Sequence, residues 1–170
     1  TDARLISNLT RPSERRDAFE VANAFPAFLD SVGDDEPLAA QLSFHNCHIP
    51  FIGLEEVVND CKSGKRCRTT NRRNQTVANY SAAQLDFYAC LLDLDDAIAQ
   101  VLDDLKARGR YDDTLIYFTT DNGPEGNCAP AGHCDPSVYL DWPGDSGPLR
   151  GRKRDLFEGG HRVPERCLSS

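Results

Sequence analysis

Hydrophobic and polar positions along the chain alternate between helical and extended spacing. After Pro12-Ser13, the stretch from Glu14 to Ala24 places Phe19, Val21, Ala22 and Phe25 on one side, with a serine cap and early acid in front. This predicts a helix that Pro26 interrupts, with Phe28-Leu29 continuing as a second turn. Gly33 to Pro37 reads as a loop, and Leu38 to Phe44 as a short buried strand with His45 and His48 just past its end. From Ser81 to Arg108, the residues Leu85, Tyr88, Leu92, Ile98, Leu102 and Leu105 recur near helical period. Gly109 is a natural stop, and Lys106 and Arg108 suit the carbonyl end of that helix. Asp112-Asp113 then turn into a β-branched and aromatic run, Thr114 to Thr119. A helix feeding a strand that ends in a polar turn is the α/β pattern, which gathers ligands at strand C-termini.

Composition narrows the class. The 170 residues suffice for one core, and the chain is acidic, with 27 Asp+Glu against 19 Lys+Arg. With no basic tail, nucleic acid is not an expected partner, and no apolar run is long enough to cross a bilayer. There is no methionine and no signal peptide at the start, so the chain is read as processed or as a fragment. Seven cysteines (47, 61, 67, 90, 128, 134, 167) accompany three glycosylation triplets at Asn8, Asn74 and Asn79. Together they point to an oxidising, secretory-pathway compartment, lysosomal or extracellular. Cys61 to Arg73 reads as a basic surface loop clipped by Cys61 and Cys67.

Several side chains carry candidate chemistry. Asp121 and Asn122 deliver a carboxylate and an amide carbonyl onto one turn, a partial shell for a hard divalent cation. Asp-Asn-Gly is equally an ordinary turn, because Asn and Gly tolerate left-handed backbone. Lys153 lies among Arg150, Arg152 and Arg154, which by themselves read as a solvated basic run. His45 and His48 form a His-x-x-His pair without further ligands nearby. Asp93, Asp95, Asp96, Asp103 and Asp104 read as a solvated helix face. Cys128, His133 and Cys134 make an atypical zinc set, and a Cys128–Cys134 loop disulfide is the preferred reading.

Three motifs resemble the C-terminal half of the catalytic domain of type I sulfatases, the arylsulfatase branch of the alkaline-phosphatase superfamily. They are Asp121-Asn122-Gly123-Pro124, Gly147-Pro148-Leu149-Arg150-Gly151-Arg152-Lys153, and Glu158-Gly159-Gly160-His161-Arg162-Val163-Pro164. A fourth, Phe44 to Pro50, is similar to the family's His-x-Pro segment, with Cys47 standing where most members have Pro. The resemblance covers most of the chain from about Asp17. It implies an α/β fold, a partial alkaline-phosphatase-like mixed sheet flanked by helices, with residues 1–170 a fragment of a single catalytic domain. The N-terminal half and the C-terminal subdomain would be missing, and Glu165 to Ser170 stops where the family continues into another strand.

The same resemblance assigns roles. Asp121 and Asn122 are implied calcium ligands, Lys153 the ammonium on the sulfate oxygens, and His48 the imidazole that helps protonate the departing alcohol. His45 and the three arginines are expected to be structural or exposed, and Glu158 to Gly160 a supporting turn whose glycines permit close approach. The family's nucleophile is a formylglycine made from a Cys-x-Pro-Ser/Ala-x-Arg segment. Cys128 to His133 matches that pattern apart from its histidine but follows the Asp-Asn turn instead of preceding it, so it is read as a chance match.

The implied activity is hydrolysis of sulfate esters of aryl or carbohydrate alcohols with calcium and a formylglycine from the missing part, the partner being a sulfated small molecule or glycan. The chain alone is expected to be inactive. A phosphatase or phosphodiesterase of the same superfamily, holding zinc instead of calcium, and a non-catalytic secreted module that binds sulfated glycans are the rival readings. Oligomeric state and disulfide connectivity are not encoded legibly.

Overall fold

The computed structural model describes residues 17–33, 36–48, 51, 53–67, 77–125, 144 and 146–169. Two helices flank a long third one. Helix α1 (Asp17–Asp30) lays Ala18, Ala22, Phe25 and Leu29 against Ala97, Val101 and Leu105 of helix α3 (Ala82–Ala107). The spacing of both sets is three or four residues, so each forms one stripe on its helix. Helix α2 (Glu55–Lys62) buries Val57 and Cys61 and packs on α3 further towards its start.

Small residues mark the closest approach. Ala89 and Ala97 are fully buried, whereas Leu92, Ile98 and Leu102 of the expected stripe are only half-buried. Gly53, just ahead of α2, lies so near that an added Cβ would run into the Ala89 side chain.

Both ends of α3 are fixed by sequence. The Ser81 side chain accepts the Gln84 backbone N–H while the Gln84 side chain accepts that of Ser81, a reciprocal cap. At the other end Gly109 takes a φ of 66°, which an L side chain resists. The chain then turns, with Tyr111 and Ile116 packed on the helical core, into strand β1 (Ile116–Thr119). Near the C-terminus a one-turn helix α4 (Glu158–His161) precedes strand β2 (Glu165–Leu168). The two strands pair antiparallel, Ile116 opposite Leu168 and Thr119 opposite Glu165.

Three expectations are corrected. Pro26 does not break α1: the helix runs through it because Phe25 and Leu29, on either side, are both anchored in the core. Leu38 to Phe44 lays Leu38, Leu42 and Phe44 on the helical core, but it has no ladder partner among the described residues and forms no strand. Glu165 to Leu168, read as a stub, forms β2. The Cys61–Cys67 disulfide is formed as expected, closing the turn after α2. Cys128, His133 and Cys134, Asn8 and Asn74, and the helix start at Pro12-Ser13 lie outside the described residues. No described helix is long and apolar enough to cross a membrane.

Candidate active site

The turn after β1 and the loop around Lys153 are fastened together through their backbones. Gly123 N–H donates to Gly160 O at 2.9 Å, and Lys153 N–H donates to Pro124 O at 2.9 Å. Gly159 N–H donates to Arg150 O at 2.7 Å, tying the loop to α4. The Ser146 hydroxyl donates towards Gly151 O at 2.8 Å and Gly159 O at 3.2 Å.

This layering is possible only because side chains are missing. A Cβ on Gly123 would meet the Gly159 carbonyl oxygen. One on Gly159 would meet the Gly151 carbonyl, and one on Gly160 the carbonyls of Asp155 and Arg152. The obstacles are main-chain atoms, which cannot swing aside, so the glycines fix the approach of the two segments.

The sequence-predicted residues divide into two groups. Asp121 (exposed), Asn122 and Lys153 (both half-buried) belong to the fastened segments, with Lys153 pinned by its own N–H beside the turn that carries the two oxygen donors. His48 is exposed on a separate turn. Its N–H donates to His45 O at 2.9 Å, and its ring stacks on that of His45 at 5.0 Å. Asn46 anchors that turn to α3 by donating towards Cys90 O at 3.4 Å.

The basic run is not uniformly solvated. Arg150 stacks over the Phe157 ring at 3.6 Å. Arg152 and Arg154 both turn to Glu125, at 3.9 Å and 3.0 Å. Lys153 alone of the four has no carboxylate or ring partner among the described residues.

Glu125 was missed by sequence reasoning. It is a single acid after a turn, and Arg154 lies twenty-nine residues further on, so no local pattern marks the pair. Asp93 also departs from its expected place on a solvated face. It is buried, and its Oδ2 accepts the Leu54 N–H at the start of α2 at 3.3 Å. Asp96 and Asp104 meet Arg66 and Arg108, while Asp95 and Asp103 are exposed as expected.

The described residues hold no group of three or more His, Cys, Asp or Glu able to hold a metal. Asp121 and Asn122 nevertheless fit calcium in kind, as hard oxygen donors from one turn, and would contribute two of the roughly six to eight oxygens that the ion takes.

Comparison with known proteins decides the family. The sequence model of the sulfatase family matches residues 7–165. The chain belongs to the sulfatase family. Among curated sulfatases, an arylsulfatase of Hemicentrotus pulcherrimus is 32% identical over 74 residues, covering 44% of this chain and 11% of its own. An uncharacterized sulfatase of Escherichia coli K12, YdeN, is 27% identical over 132 residues, 76% of this chain and 18% of that protein. Two crystal structures of Ps i-CgsB, one in complex with k-i-k-neocarrahexaose, superpose with a TM-score of 0.66 at 20% identity. They cover 89% of this chain and 28% of theirs, which shows the alkaline-phosphatase-like fold in part. This chain thus spans less than a third of each of these relatives.

Proposed function

We propose that the protein to which this sulfatase segment belongs hydrolyses sulfate esters of aryl or carbohydrate alcohols. The observation that carries the reading is the pair of backbone bonds holding the Asp121-Asn122 turn and Lys153 side by side. A sulfate ester in transit to products gathers charge on its oxygens and on its leaving oxygen, and positioned cations stabilise that charge selectively.

In this reading the Lys153 ammonium binds the sulfate oxygens and orients the ester. Asp121 and Asn122 would hold calcium, which when bound would neutralise charge on the sulfate. His48 gives a proton to the oxygen of the departing alcohol. The formylglycine nucleophile belongs to a part of the protein beyond these residues, and the chain alone should not turn over. The disulfide and the exposed Asn79 side chain fit a glycosylated protein of the lysosome or the extracellular space.

The test is sulfate release by the full-length protein from an aryl sulfate and from a sulfated oligosaccharide. Lys153→Ala and Asp121→Ala should each lower kcat/KM by about 100- to 1,000-fold, and calcium chelation should abolish turnover. Full activity in Lys153→Ala, or release of phosphate but not sulfate, would overturn the reading.

A further inference from the structure

Glu125 follows the Asp121–Pro124 turn, and its side chain is only 10% exposed. A carboxylate so covered needs cationic partners. Among the described residues it has two, and they are the residues on either side of Lys153: Arg154 Nε at 3.0 Å and Arg152 Nη1 at 3.9 Å.

Two further features show that the loop is held in place. Arg154 has a φ of 87°, a left-handed conformation that a non-glycine residue keeps only where its surroundings enforce it. The Arg152 N–H donates to Asp155 Oδ2 at 3.2 Å, closing the turn on itself. One acid on the turn therefore gathers both neighbouring guanidiniums, while the Lys153 N–H is tied to Pro124, the residue preceding that acid.

We propose that Glu125 is the positioning residue for Lys153. It draws Arg152 and Arg154 onto its own carboxylate, fixes the loop against the Asp121-Asn122 turn, and leaves Lys153 as the cation available to the anion. This rests on the reading of Lys153 as the sulfate-binding residue. Glu125 itself touches no substrate. Its effect reaches the anion only through the placement of its neighbour, and outer partners of this kind typically govern ten- to a hundredfold in affinity or activity.

The experiment uses the full-length protein with inorganic sulfate as competitive inhibitor of an aryl sulfate. An inhibition constant does not depend on how much of the preparation is folded, so it separates positioning from simple loss of stability. Glu125→Gln should weaken sulfate inhibition by about tenfold and lower kcat/KM by about 10- to 100-fold. Arg154→Gln, which leaves Arg152 on the carboxylate, should show a smaller loss in the same direction and serves where Glu125→Gln fails to fold.

In a Lys153→Ala background Glu125→Gln should add nothing further to the sulfate inhibition constant. An unchanged constant in both single variants, or full additivity with Lys153→Ala, overturns the positioning role and leaves the sulfatase reading standing. An unchanged kcat/KM in Lys153→Ala removes that reading, and this inference falls with it.

Discussion

Asp93 faces the start of α2 from inside the α2–α3 contact, and burial raises its carboxyl above the ordinary range. The Leu54 N–H opposes that rise, Asp96 adds to it, Arg66 opposes it, and Glu56 adds to it. The folded chain therefore binds this proton more tightly than the unfolded chain. The resulting stability is complete below the unfolded carboxylate range and is lost as pH rises through the raised value. Asp93→Asn cannot ionise, so it should match the parent in acid and exceed it in stability at neutral pH. Urea melts in acid and at neutral pH would check this, and a variant less stable at neutrality would refute it. Gly159→Ala makes a complementary prediction: its methyl meets the Gly151 carbonyl. It should cost about 1–3 kcal/mol and impair sulfate release, measured by melting and by turnover of the full-length protein. The glycines were legible because a Gly-Gly pair has few uses besides close approach. Asp93 was not, because Asp95 and Asp96 beside it look identical in sequence and only α2 distinguishes them.

Helix α3 is the element on which the others are assembled; its C-terminal end was plain in the chain as a glycine after lysine and arginine, whereas the reciprocal cap of Ser81 and Gln84 at its start came from the structure. Ser81→Ala should cost about 1 kcal/mol through the lost cap. Asn79→Gln removes the same glycosylation triplet but should leave the helix start intact, so thermal melts of the two variants separate cap from glycan. Leu105→Ala, at the buried contact with α1, should cost about 2–5 kcal/mol in denaturant titrations. What the sequence hid at this scale was the partner. Apolar spacing picked out large residues, whereas the α1 and α2 contacts run over Ala89, Ala97 and Val101, where two helices approach closely. Leu38 to Phe44 has strand spacing, but a strand exists only with a neighbour to bond. Glu165 to Leu168 has little apolar pattern, yet β1 lies alongside to receive it.

At the scale of the whole molecule, the family was readable from three motifs, and the structure supplies what their order alone did not: backbone hydrogen bonds that join each motif to the other two. The Asp121 turn and Lys153 lie far apart in sequence, but two hydrogen bonds and three close-packed glycines bring their backbones together. Glu125 escaped notice because its role exists only after that meeting. The most direct test is a crystal structure of the full-length protein with calcium and sulfate. The account predicts the Lys153 ammonium within about 3 Å of a sulfate oxygen, with Asp121 and Asn122 oxygens on the calcium bound to that same anion. A Lys153 amine directed into bulk solvent, with the anion elsewhere, would contradict it.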